Sequence, residues 1–153
     1  MTIYVDTSVL VAYYCPEPLS ETAERRIRAL DPPVLSRLTD VELHSALAKK
    51  VRREDLTEDD AQRIEQLFRR HCEQELYHVV PVQEEEYRQA REWMARRSTA
   101  VRTLDALHLA TADHLATADG LDVHVLTADT IMNRAGEQLG VPVQCSMSNE
   151  GRK

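Results

Sequence analysis

Five short runs of β-type residues alternate with helical segments along this 153-residue chain, and that alternation restricts the possible fold more than any other feature. Ile3-Tyr4-Val5, Val34-Leu35, Tyr77 to Val82, Val123 to Leu126 and Val141-Pro142-Val143 read as strands. Helical spacing fills the gaps. Ser8 to Tyr14 is a brief helix, and Ser20 is the candidate cap of a second with Ala23, Ile27 and Leu30 on one face, stopped by Asp31-Pro32-Pro33. Thr39-Asp40-Val41-Glu42 matches the S/T-x-x-E capping box and opens a helix through Leu43, Ala46, Leu47 and Val51. Thr57 starts another with Ala61, Ile64, Leu67 and Phe68, and Gln83 to Arg97 follows. Thr103 is the candidate cap of a helix from Leu104 to about Thr117, and Thr130 to Leu139 ends at Gly140. Strands separated by helices require parallel pairing with crossovers, so the expected class is α/β, a parallel sheet covered on both faces. Pro142 cannot donate to a ladder, which makes the last strand an edge.

The length fits one domain, placed at residues 1–145, with residues 146–153 a polar tail. A hydrophobic content of 42% suffices for a single core without staples. The three cysteines, Cys15, Cys72 and Cys145, form no C-x-x-C pair and are odd in number, so neither a disulfide framework nor a zinc knuckle is expected. The opening MTIYVD lacks a basic region ahead of an apolar stretch, and no apolar run spans a bilayer. These features predict a soluble, cytoplasmic protein with no membrane partner. A net charge of -7 argues against nonspecific coating of nucleic acid, yet it is compatible with a nuclease whose carboxylates gather metal.

Two apolar strands run directly toward an aspartate: Ile3-Tyr4-Val5 into Asp6, and Val123 to Leu126 through Thr127-Ala128 into Asp129. Ligand sites in open parallel sheets lie at the carboxyl ends of strands where the winding reverses, so both aspartates belong there. Each has an ordinary reading as a helix cap. Glu42 reads equally well as the third position of its capping box, and Asp105 as a first-turn acid suited to the helix dipole. The setting of Asp105 is less ordinary. Leu104 to Ala112 is apolar apart from Asp105, His108 and Thr111, so the helix is expected to be buried, and a carboxylate there needs a partner such as a hard divalent cation.

Four segments carry a family resemblance: Tyr4 to Leu10, Thr39 to Leu47 (TDVELHSAL), Arg102 to Ala112 (RTLDALHLATA) and Leu126 to Ala135 (LTADTIMNRA). In this order they resemble the four motifs of PIN-domain nucleases and, more narrowly, VapC-like toxins of type II toxin–antitoxin pairs; the likeness runs from residue 3 to about 143. The resemblance implies a three-layer sandwich with strand order 3-2-1-4-5 and an acidic pocket of Asp6, Glu42, Asp105 and Asp129. Asp6 and Asp105 are implied as direct ligands of Mg²⁺ or Mn²⁺, with Glu42 and Asp129 completing the cluster. Thr7, Ser8 and Thr127 are the implied supporting hydroxyls. The implied activity is endoribonuclease hydrolysis by metal-activated water, leaving a 5′-phosphate and a 3′-hydroxyl. The implied partners are an RNA substrate, a cognate antitoxin and a second copy in a homodimer. Among the basic residues, Arg102 and Arg134 are the candidate phosphate contacts, while His44 and His108 read as packed or partly exposed helix residues.

Competing readings also start from an aspartate after strand 1. Haloacid-dehalogenase enzymes require a second aspartate where this chain has Ser8, and receiver domains require a late lysine, for which only the terminal Lys153 is available. A non-catalytic α/β module that binds RNA or protein, with its carboxylates serving only as caps, is the remaining alternative.

Overall fold

The computed structural model describes residues 1–30 and 32–144; Asp31, Cys145 and the tail 146–153 lie outside the described residues, and with them the expected domain boundary. Twelve elements alternate as the sequence predicts: β1 Thr2–Val5, α1 Thr7–Tyr14, α2 Ser20–Arg28, β2 Val34–Ser36, α3 Leu38–Arg52, α4 Glu58–Glu73, β3 His78–Val80, α5 Glu84–Arg96, α6 Thr103–Thr117, β4 Val123–Leu126, α7 Thr130–Leu139 and β5 Val143–Gln144. All strand pairs are parallel, in the order β3-β2-β1-β4-β5. This is the expected order.

Successive strand residues point to opposite faces, and that period of two divides the core into halves. Ile3, Val5, Leu35 and Leu126 pack with Val9 and Leu10 of α1 and Leu43 and Leu47 of α3. Tyr4, Val34, Val123 and Val125 pack on the other face with Trp93 of α5, Leu109 of α6 and Met132 of α7. Helices α1 to α4 thus cover one face and α5 to α7 the other, giving three layers. Among the described residues no helix is long and apolar enough to cross a membrane.

The local departures from expectation have physical causes. Helix α3 begins at Leu38 with Arg37 at its N-cap and no side-chain cap, so the expected Thr39 box is absent. Thr39 is fully buried inside the first turn and receives the Thr7 hydroxyl at 3.4 Å. Leu19, not Ser20, is the N-cap of α2; the Ser20 hydroxyl instead donates to the Cys15 carbonyl at 2.7 Å and accepts from the Glu17 amide at 2.9 Å. Thr103 is likewise the first helical residue of α6, after Arg102 at the N-cap. The strand expected over Tyr77 to Val82 is confined to His78–Val80, because Pro81 has no N–H to continue the ladder. At the opposite edge β5 starts after Pro142, whose carbonyl still accepts from the Val125 amide at 2.9 Å. Gly140 does end α7 in the left-handed conformation, at φ 77°.

Candidate active site

The strand order reverses at β1, which pairs in register with β4, Val5 opposite Leu126. Both chains therefore leave the sheet side by side at its carboxyl end. The Asp6 amide donates to the Leu126 carbonyl at 2.9 Å, carrying the pairing one residue beyond the strand. Asp6 and Asp129 each form the N-cap of the following helix, α1 and α7. Capping and site-lining are not alternatives here. Asp129 uses Oδ1 to accept from the Ile131 and Met132 amides at 2.8 and 3.3 Å, leaving Oδ2 for Arg102.

Hydroxyls fasten the two loops together. Asp6 Oδ2 accepts from the Ser8 amide and hydroxyl and from the Thr127 hydroxyl, the last at 2.9 Å. Ser8 Oγ in turn accepts from the Ala128 amide at 3.0 Å, and Thr127 Oγ1 accepts from the Asp129 amide at 3.0 Å. Ser8 donates to Asp6 within its own loop while taking the Ala128 amide from the other, and Thr127 donates across to Asp6 while taking the Asp129 amide of its own loop. The carboxylate is thereby held in one orientation, with a fully buried Thr127 behind it.

Two helices complete the cleft. Asp105, the third residue of α6, is 9% exposed, and Glu42 faces it from α3. The cleft has a volume of about 750 Å³ and is lined by Asp6, Thr7, Ser8, Glu42, Asp105 and Asp129, with Arg102 and Lys49 as its cations. Arg102 bridges two of the acids: Nε donates to Asp105 Oδ2 at 2.6 Å and a terminal nitrogen donates to Asp129 Oδ2. Arg134, the other arginine singled out in the sequence, is exposed on α7 and does not line the cleft.

The environment drives the acids apart in proton affinity. Burial raises the Asp105 carboxyl above the ordinary carboxylate range, with Arg102 offsetting only part of it. Burial acts on Asp129 in the same sense, but there the Arg102 contact and the Ile131 and Met132 amides prevail and its pKa falls. Arg102 itself is raised by the hydrogen bonds it donates to Asp129 and Asp105 and stays charged.

Glu42 is held by a buried network that the sequence does not reveal. Its Oε1 accepts from the Thr7 hydroxyl at 3.0 Å and from His108 Nε2. His108 is completely buried, and its Nδ1 meets the Tyr4 hydroxyl at 2.7 Å. Burial lowers the imidazole's affinity for a proton, but the Glu42 contact and the nearby Asp6 and Asp105 charges overcome it and raise the pKa. A sequence signal was available: Asp105 and His108 lie three apart in an otherwise apolar helix and so share a face.

The donor chemistry suits a hard divalent cation. Among the described residues Asp6 Oδ1, Asp105 Oδ1 and Glu42 Oε2 accept no hydrogen bond, and all three belong to side chains lining the cleft. Among the described residues no group of three or more His, Cys, Asp or Glu side chains is drawn together closely enough to hold an ion as it stands. Repulsion between carboxylates opposes closer approach, and the Arg102 guanidinium supplies the compensating charge.

Comparison with known proteins bears on the fold. No curated protein matches the chain in sequence. Among solved structures, FitAcB from Neisseria gonorrhoeae superposes with a TM-score of 0.63 at 22% identity, covering 93% of this chain and 96% of that one. A toxin–antitoxin complex from Klebsiella pneumoniae gives 0.62 at 16% identity, covering 95% and 98%. Mycobacterium tuberculosis VapC20, described as a sarcin–ricin-loop-cleaving toxin, gives 0.61 at 22%, covering 88% and 95%. The PIN domain family matches residues 3–138, nearly the whole of the described chain. On that match, together with the sheet order, the chain belongs to the PIN domain family.

Proposed function

We propose that this protein is a metal-dependent endoribonuclease and the toxin of a toxin–antitoxin pair. The observation that carries the proposal is the convergence of Asp6, Glu42, Asp105 and Asp129, from four separate segments of a PIN domain, on one cleft. The resemblance to VapC20 and to the Klebsiella pneumoniae complex supports the toxin assignment, an RNA substrate and a cognate antitoxin as partner.

In this reading Asp6 and Asp105 hold Mg²⁺ or Mn²⁺ directly, and Glu42 and Asp129 complete the set. When bound, a divalent ion supplies Lewis acidity that makes water nucleophilic near neutral pH and neutralises charge on the phosphodiester. The chain's own residues do the holding. Ser8 and Thr127 fix Asp6, Thr7 fixes Glu42, and the α7 amides fix Asp129, so little reorganisation is needed at the moment of reaction. Lys49 and Arg102 at the cleft are the candidate phosphate contacts, and Arg134 is a more distant one. The protein acts as a homodimer in the cytoplasm.

Sequencing of RNA ends after brief induction of wild type and of Asp105→Asn tests the proposal. New 5′-phosphate ends at defined positions, present with wild type and absent with the variant, are expected. Identical end profiles from the two, or none above the uninduced control, would refute it and leave a non-catalytic binding module as the better account.

A further inference from the structure

Polar groups are seldom placed in a core without a reason, and the Tyr4–His108–Glu42 chain runs from the strand β1 through the fully buried imidazole to the cleft. An ionised Glu42 carboxylate can only accept, so His108 Nε2 is the donor in that contact. Tyr4 carries a phenolic hydroxyl, its one side-chain donor. It can therefore donate to Nδ1, and every hydrogen bond in the chain then points at Glu42. His108 has no surface and both ring nitrogens are engaged, which excludes it from touching substrate. Its influence has to pass through Glu42.

Glu42 needs such support. A glutamate has three side-chain torsions to order, and this one projects from α3 into a cleft with Asp6, Asp105 and Asp129 that repel it. The imidazole and the Thr7 hydroxyl both grip Oε1, from α6 and α1 respectively, and leave Oε2 without a donor from the described residues. We infer that His108, oriented by Tyr4, is a positioning residue that holds Glu42 Oε2 toward the divalent ion. This rests on the metal-dependent reading above. Partners that orient a metal's ligands from behind commonly contribute 10 to 100-fold to affinity, which sets the scale of the expected effect.

The test is Mn²⁺ affinity by titration calorimetry on purified full-length protein, with metal-free melting temperature recorded alongside. His108→Leu is expected to weaken Mn²⁺ binding by about 10 to 100-fold. His108→Gln, whose amide N–H can stand in for Nε2, is expected to recover most of that loss even where its melting temperature is no higher than that of His108→Leu. In a Glu42→Gln background His108→Leu is expected to change the affinity no further, because the effect travels through that carboxylate. Tyr4→Phe gives a smaller loss in the same direction, and it decides the matter if His108→Leu does not fold. Affinity unchanged in His108→Leu, a loss of equal size in the Glu42→Gln background, or, should that variant not fold, wild-type affinity in Tyr4→Phe would overturn the inference and leave His108 as a core polar knot only. Wild type that binds no Mn²⁺ would overturn the metal-dependent reading and this inference together, so the two failures are distinguishable.

Discussion

Arg102 is the one arginine or lysine paired with the acidic cluster among the described residues, and replacing it by glutamine has consequences that can be followed quantitatively. Its guanidinium lies 2.6 Å from Asp105 and also contacts Asp129, with side-chain exposures of 54% for Arg102, 12% for Asp105 and 25% for Asp129. An arginine exposed to that degree is screened, so each pair contributes on the scale of surface ion pairs, and the two together contribute about 1 kcal/mol. A divalent ion held by Asp105 and Asp129 takes over the same charge and must displace the guanidinium. Arg102→Gln should therefore lose about 1 kcal/mol of stability without metal and bind Mn²⁺ about fivefold more tightly, the same energy expressed as an affinity. With saturating Mn²⁺ the two stabilities should coincide, since the added binding energy offsets the original loss. Urea denaturation of wild type and variant, with EDTA and with saturating Mn²⁺, measures all four quantities. An equal metal-induced shift in both proteins would refute the idea that the arginine and the ion compete for one place.

Other consequences concern single groups. The folded Asp105 carboxyl has a raised pKa because of burial, so its favourable contribution is complete below the unfolded value of about 3.9 and is lost as pH rises through the folded value. Asp105→Asn should accordingly melt above metal-free wild type at pH 7, with the gap closing at pH 3; a gap independent of pH in calorimetric scans would contradict this. Thr127→Val keeps the shape but removes the hydroxyl that donates to Asp6 and accepts from the Asp129 amide, at an expected cost of about 1–3 kcal/mol in denaturant midpoint experiments. A cost near zero would mean water replaces the hydroxyl freely. Gly136→Ala places a Cβ 2.1 Å from Val143 Cγ2 and 3.2 Å from Leu109 Cδ2, so the Val143 side chain or β5 itself must shift against α7. A loss of about 1–3 kcal/mol is expected, and wild-type stability would show that the edge strand yields without strain.

The alternation of strands and helices is legible in the residues themselves, whereas the sheet order and the grouping of the four acids follow from the family resemblance. Asp6 and Asp129 could be placed because each ends an apolar β run, and strand polarity then fixes where the chain emerges. Both do cap the following helices, and sequence cannot show that one Asp129 carboxylate oxygen caps while the other is left for Arg102. Glu42 was obscured by a false local pattern. The spacing of Thr39 and Glu42 suits a capping box, but α3 starts two residues earlier than that box requires and Thr39 turns inward to α1. His108 reads as an ordinary packed residue in the sequence because its partners, Tyr4 and Glu42, are 104 and 66 positions away, and no local spacing encodes such contacts. Arg102 stands three positions before Asp105 in the sequence, whereas its contact with Asp129 depends on α6 and α7 meeting in space. Strand and cap boundaries slipped by one or two residues wherever a proline or an uncapped helix start decided them.

The central claim, that these four carboxylates hold a divalent ion for phosphodiester hydrolysis, is tested most directly by single-turnover cleavage of RNA by purified, antitoxin-free protein. Cleavage that requires Mg²⁺ or Mn²⁺, stops with EDTA and is lost in Asp6→Asn while the variant stays folded is the predicted result. Cleavage that persists in EDTA, or equal rates for wild type and Asp6→Asn, would contradict it.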